Sequence, residues 1–284
     1  MKFKNKGNFL VLIAVVLWSL TGFIIKSVNA SPVWINFIRS LTGGIFFLPF
    51  VFKERIEPIK TVYKTGFFMA MFLLALTLTT RLSSSAMAIS MQYAAPMYVI
   101  GFGFYQNKKV ETKKMIVLLL ILSGVLLNMV DSLRFANKIA IFTGILTGLS
   151  FAFYSYNLQQ VHSGSSLGIV SIINLTCAVF FLMMLPLDFK PVPTLPRDLG
   201  LLCFAGIVIS GFSYSLYSSG LKHTAIETAL IIGLIEPILN PVWVYLGTKE
   251  IPSPLTMAGV LLILLGAVCE VLFASDHPAV ELQE

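Results

Sequence analysis

Charge is what this sequence has least of. Only 12% of its 284 residues are Asp, Glu, Lys or Arg, against 57% hydrophobic, and the mean hydropathy is +0.87. A soluble domain carries about twice that share of charge, so a water-exposed globule is excluded. Polar runs are short throughout, and the Pro-rich stretch 186–197 is too small to be a domain, which argues against a receptor or a scaffold. Cysteine is equally sparse. Cys177, Cys203 and Cys269 lie inside apolar stretches at unrelated spacings and form neither a disulfide framework nor a metal motif. No HExxH and no paired aspartates within an apolar stretch occur, since Asp131, Asp188, Asp198 and Asp276 fall in loops or tails. An intramembrane enzyme, a metal and a cofactor are therefore not expected. The lack of a phosphate-binding loop excludes ATP-driven transport within the same chain, and the lack of charge rings or a carbonyl filter argues against a channel. The net charge of +7 is no nucleic-acid signal, because Lys and Arg sit in short loops, where they set membrane orientation.

What the sequence has in abundance is apolar length. Ten stretches of roughly 20 residues, enough to cross a bilayer as helix, cover 8–25, 33–52, 66–80, 83–105, 115–130, 139–160, 167–187, 199–219, 225–246 and 255–273, with 66–80 the shortest. The alternation of a membrane barrel is missing, so the expectation is an all-α integral membrane protein of ten transmembrane helices. Lys2, Lys4 and Lys6 ahead of an apolar run, with Val28-Asn29-Ala30 after it, resemble a signal peptide and its cleavage site. The run is long for a signal, and it is read as a retained first span. With the N-terminus inside, twelve Lys and Arg fall in cytoplasmic segments and seven outside, while Arg39 lies within a span. Both termini are thus expected in the cytoplasm, on a bias that comes almost entirely from the first half.

Self-similarity divides the chain in two. Leu119-Leu120-Ile121-Leu122-Ser123-Gly124 in the fifth span matches Leu261-Leu262-Ile263-Leu264-Leu265-Gly266 in the tenth. Leu41-Thr42 with Phe46-Phe47-Leu48 matches Leu175-Thr176 with Phe180-Phe181-Leu182, and Pro96 falls opposite Pro237 with Arg81 opposite Lys222. The expected organisation is a five-helix repeat over 1–134, a second over 135–276 and a short cytoplasmic tail at 277–284. An odd number of spans per copy inserts the two in opposite orientations. Inverted repeats with a midplane site at their interface are a secondary-transporter architecture.

Ten spans, the five-plus-five repeat and particular segments together resemble the EamA-type transporters of the drug/metabolite transporter superfamily. Those segments are Met91-Gln92-Tyr93-Ala94-Ala95-Pro96, Gly220-Leu221-Lys222-His223-Thr224 through Ile235-Glu236-Pro237, Lys249-Glu250, and the opening Leu17-Trp18-Ser19. One motif departs: where members have a Lys-Glu or Gly-Glu pair after the fourth span, this chain has Lys108-Lys109 and then Glu111. The resemblance implies a central cavity lined by spans one, three, four, six, eight and nine, alternating access by rocking helices, and outward transport.

Within that frame Glu236 comes first, because an ionisable group at membrane depth costs about 3 kcal/mol on insertion scales. It reads either as an anchor for a substrate amine or proton, or as a structural carboxylate satisfying Arg39 or freed backbone donors. Pro237 should bend the helix beside it, as Pro96 and Pro241 should bend their own segments. Asn240 is one turn on and shares its face. Arg39 is the one basic residue well inside a span. It reads as a carboxylate ligand or, more in keeping with the resemblance, as an ion pair or gate with Glu236 or Glu227. Further polar and aromatic groups recur at helical spacing: Trp18 and Thr21, Thr77, Gln92 and Tyr93, Tyr154 and Asn157, Ser213 and Tyr214. Each alone reads as packing, since small residues and hydroxyls serve helix contact. Together they would line a cavity for a small zwitterion or amphiphile, with aromatic walls suited to a cation.

The sequence therefore reads as a multi-pass secondary active transporter of the cell (plasma or inner) membrane. Its expected cargo is amino acids or related amphiphiles, exported by alternating access between the repeats. A cationic or aromatic drug, a nucleoside or a vitamin is the alternative on the same fold. The bilayer and a small molecule are the expected partners and H+ a candidate coupling ion. Nucleic acid is not expected, and monomer and homodimer both stand open.

Overall fold

The computed structural model describes residues 2–95, 98, 112–134, 138–188, 192–221, 223, 229 and 232–274. Every regular element among them is helical, apart from the isolated bridge between Glu57 and Ser163. In chain order the helices are α1 (Lys2–Ser19), α2 (Thr21–Ser27), α3 (Pro32–Phe47), α4 (Ile59–Leu82), α5 (Ser85–Gln92), α6 (Thr112–Arg134), α7 (Lys138–Leu158), α8 (Ser166–Met184), α9 (Pro196–Phe204), α10 (Ser213–Leu221), α11 (Ile235–Thr248) and α12 (Pro254–Ala274). Six helical stretches are long and apolar enough to cross a membrane: Lys6–Ser27, Pro32–Phe52, Ile59–Leu82, Lys138–Leu158, Ser166–Leu187 and Pro196–Tyr217. Met115–Asn128 and Pro254–Cys269 are shorter apolar helices. Spans four and nine are described only in part, and Pro96, Lys222 and Glu227 lie outside the described residues.

Local chemistry explains where the helices begin. Ser31 caps α3 by accepting the Trp34 N–H, with Pro32 at the first helical position, where a missing N–H costs nothing. Ser84 caps α5 in the same way through the Met87 N–H. The third span is a correction. It was expected over 66–80 and the helix instead runs Ile59–Leu82. Lys60 and Lys64 broke the apolar pattern, yet long lysine stems extend a helix into the interfacial zone.

The helices pack in pairs. α4 lies antiparallel on α7, with the Phe68 and Phe153 rings stacked at 5.0 Å and the Thr79 hydroxyl donating to Thr143 Oγ1 at 2.8 Å. α1 lies antiparallel on α10, with Val11 at Gly220 and Trp18 against Tyr214 and Tyr217. α3 faces α8, where the Ser171 hydroxyl donates to the Gly44 carbonyl at 2.7 Å. α6 faces α12, where Gly124 meets Ile263 and Gly266 meets Ile121. These last two contacts are reciprocal between positions of the repeated motif. Two asparagines also act alike. Asn36 donates to Pro32 O in its own helix and to Leu73 O in α4, while Asn174 donates to Val170 O in its own helix and to Ser210 O in the neighbouring span. Lipid offers no hydrophobic drive between helices, so close small-residue contact and such side-chain bonds carry the association.

Candidate functional site

Several crossings are interrupted close together. The first breaks at Leu20 between α1 and α2. The fourth turns at Tyr93 and Ala94 after α5, the ninth turns at Leu234 before α11, and the eighth winds as a π-helix over Ala205–Phe212 between α9 and α10. Irregular backbone at membrane depth needs partners for its freed groups, and side chains from other spans supply them. Asn240 Nδ2 donates to the Ser19 carbonyl at 2.9 Å, and Trp243 Nε1 donates to Ser19 Oγ at 2.8 Å. The Ser85 hydroxyl donates to Asn240 Oδ1. Gly22 sits where a Cβ would collide with Ser85 Oγ and the Asn240 amide, so the first, fourth and ninth spans touch there at backbone distance.

Glu236 lies one turn from Asn240, 3% exposed and in the first turn of α11, where the helix dipole favours negative charge. The Tyr93 hydroxyl links it to the fourth span, 2.7 Å from the Gly233 carbonyl and 3.0 Å from Glu236 Oε2. One phenolic proton faces two acceptors here. A proton arriving on Glu236 would give Tyr93 a donor in exchange for the second acceptor, leaving the geometry in place. Pro237 stands third in α11, and the helix is interrupted ahead of it at Leu234, close to Glu236. A proline in the first turn gives up an N–H that has no intrahelical partner. Pro241 lies within α11, which runs on to Thr248.

An aromatic and cationic wall stands beside this carboxylate. Trp18 packs on Tyr214 at 4.7 Å and on Tyr217 at 5.0 Å between ring centroids, and its buried Nε1 has no hydrogen-bond partner among the described residues. Arg39, 4% exposed, donates through Nε to Ser210 Oγ in the π-helical turn. Its charge reaches Tyr214, Cys177 and Glu236. The expected Arg39–Glu236 ion pair is not made: among the described residues the ion pairs are Lys26–Glu250 at 2.7 Å and Arg55–Glu57 at 2.6 Å. Glu236 Oε2 instead accepts from Tyr93, and Arg39 Nε donates to Ser210. Glu227 cannot be placed, as it lies outside the described residues.

Other expected residues serve packing in this conformation. Asn36 donates to Thr77 Oγ1 at 3.0 Å. Ser213 donates back to the Ile209 carbonyl, and Asn157 Nδ2 donates to Phe153 O at 2.7 Å while its Oδ1 has no partner. Tyr154 joins the apolar cluster around Leu73 and Phe181. Thr21 and Gln92 are buried near the interruptions. Ser85, Gly233 and Trp243 were not singled out from sequence. The available signals were the serine triplet 83–85, a helix-start pattern, and the i, i+3 spacing of Asn240 and Trp243. Among the described residues, no cluster of three His, Cys, Asp or Glu is placed to hold a metal.

Comparison with known proteins then adds a family. The profile of the EamA-like transporter family matches the chain twice, over residues 5–130 and 138–271. A curated protein of Archaeoglobus fulgidus, described only as an uncharacterized transporter, is 25% identical over 263 residues, covering 90% of this chain and 95% of that protein. A solved crystal structure matches with a TM-score of 0.62 at 16% identity, covering 95% of this chain and 98% of that one, a likeness of fold alone.

Proposed function

The chain belongs to the EamA-like transporter family, and we propose that it moves amino acids or similar small zwitterions outward across the cell membrane by alternating access. A multi-pass membrane protein and a transporter is what the family and the apolar helices support directly. Two successive family matches support two five-helix units, 1–134 and 135–276, ahead of a cytoplasmic tail. Their inverted arrangement is supported by the reciprocal Gly124–Ile263 and Gly266–Ile121 contacts between antiparallel helices.

The observation that carries the cargo class is the Glu236–Tyr93–Gly233 cluster at two helix breaks, with Arg39 in its electrostatic reach. Glu236 would take the ammonium of a zwitterion and Arg39 its carboxylate, and Tyr93 and Ser210 would release them as the substrate arrives. H+ competes for the same carboxylate and is the proposed coupling ion. The Trp18–Tyr214–Tyr217 wall favours a second reading, an aromatic or cationic cargo held by stacking and cation–π contact.

Uptake into liposomes separates these. Amino acids, amines, nucleosides and vitamins are offered with and without a pH gradient. An amino acid should be taken up, and Glu236→Gln should lower its uptake about tenfold, the scale of one charge-assisted hydrogen bond, and abolish the effect of the gradient. Unchanged uptake and pH response in the variant would dismiss the carboxylate's role, and uptake of aromatic cations alone would select the second reading.

A further inference from the structure

The short helix α2 lies along α11 in parallel, and the contacts form a ladder. Ser19 meets Asn240 and Trp243, Gly22 meets Asn240, Phe23 fills the place of a side chain at Gly247, and Lys26 meets Glu250. At Gly22 the Asn240 amide and at Gly247 the Phe23 ring fill the place of a Cβ, so side chains of the two elements interlock. Glu236 lies at one end of α11 and Glu250 just beyond the other.

The far end of that unit is where the spans are stitched together. Lys26 Nζ is 2.7 Å from Glu250 Oε2 and donates to the Ser83 carbonyl at 3.2 Å. The adjoining segment 28–31 is held by Arg81, whose Nη2 donates to the carbonyls of Val28 and Ala30. Asp198 accepts the Asn29 N–H at 3.0 Å, and Asp188 accepts the Ser31 hydroxyl. Four segments of the chain therefore converge on residues 26–31. Lys249, immediately before Glu250, has a φ of 59°, a left-handed conformation that a non-glycine residue adopts at a cost. It ends α11 and turns Glu250 back toward Lys26.

We propose that α2 is a latch that rides on α11 and closes the face carrying residues 26–31, with the Lys26–Glu250 pair as the contact that parts when this face opens. The latch rests on the alternating-access reading above, and under that orientation the closed face is the outer one. Because α11 also carries Glu236, a change in what binds there is transmitted along α11 to the pair at its end, so occupancy and opening are coupled.

Accessibility tests the latch without reference to any cargo. Thr80, 1% exposed with a partnerless hydroxyl, lies one turn before Ser83 in α4. In a background with Cys177, Cys203 and Cys269 replaced, Thr80→Cys should react slowly with a membrane-impermeant maleimide applied outside. Adding Lys26→Gln or Glu250→Gln should raise the rate roughly threefold to tenfold, the range over which a partly exposed ion pair shifts a two-state equilibrium. The exchange Lys26→Glu with Glu250→Lys should bring it back, which separates the pair from a general loss of folding. A rate that ignores all three variants, or rises equally in the exchange, overturns the latch. Neither result bears on the uptake experiment, and failure of zwitterion uptake leaves the labelling prediction intact.

Discussion

One hydroxyl joins the two halves of the candidate site. Tyr93 ends α5, and Gly233 and Glu236 flank the start of α11. The Gly233 carbonyl is freed by the turn at Leu234, and a buried carbonyl without a partner costs about 1–3 kcal/mol. Tyr93→Phe removes that partner together with the donor to Glu236, so the melting temperature in detergent should fall by several degrees. Coupling is the sharper readout. Tyr93→Phe combined with Glu236→Gln should cost less than the two singly, because each removes the other's partner. Strict additivity in melting temperature would mean that the 3.0 Å contact is incidental.

At the scale of helices, glycine decides how near two spans come. A Cβ on Gly124 would lie 2.5 Å from the Gly259 carbonyl oxygen, and one on Gly259 would lie 2.8 Å from that of Gly124. Backbone cannot yield as a side chain can, so Gly124→Leu should force α6 and α12 apart and lower thermal stability markedly. Gly200→Leu is the control: nothing lies within 4 Å of that position, and the substitution should be neutral. Equal losses in both would mean that close approach does not govern these sites, because helix propensity alone favours leucine over glycine. The same pair of helices marks what was legible in the sequence. The repeated motif ending in Gly124 and Gly266 was readable because two copies needing the same contact keep the same residues. The break at Leu20 was not. Ser19, Thr21 and Gly22 around it read as a helix-packing face, and the bonds that hold it come from Asn240 and Trp243, more than two hundred residues away. Pro237 follows the interruption at Leu234 and stands in the first turn of α11, a place proline favours. Of the candidate site, Glu236, Asn240 and Tyr93 were found from residue type at membrane depth. The π-helical turn that positions Ser210 for Arg39 leaves no pattern that a 3.6-residue period detects.

For the whole molecule, the relative directions of the spans follow from side-chain contacts. Spans one and nine run parallel through Lys26 and Glu250, whereas spans three and six run antiparallel through Thr79 and Thr143. Spans five and ten run antiparallel through Gly124 and Gly259. Each relation is the one expected if every span crosses once, which leaves the absolute orientation to experiment. Asp188, in the loop between α8 and α9, and Asp198, in the first turn of α9, tie this part of the chain to residues 29–31. Thr194 in that loop and His162 in the loop between α7 and α8 are both exposed, and they should lie on opposite faces. In intact cells, Thr194→Cys should react with an impermeant maleimide and His162→Cys should react only after lysis. The reverse pattern would turn the protein over and place the Lys26–Glu250 pair on the cytoplasmic face. Labelling of both from one side would be incompatible with α8 as a single crossing, and the inverted five-helix repeats would fall with it, because their opposite insertion depends on an odd number of crossings in each half.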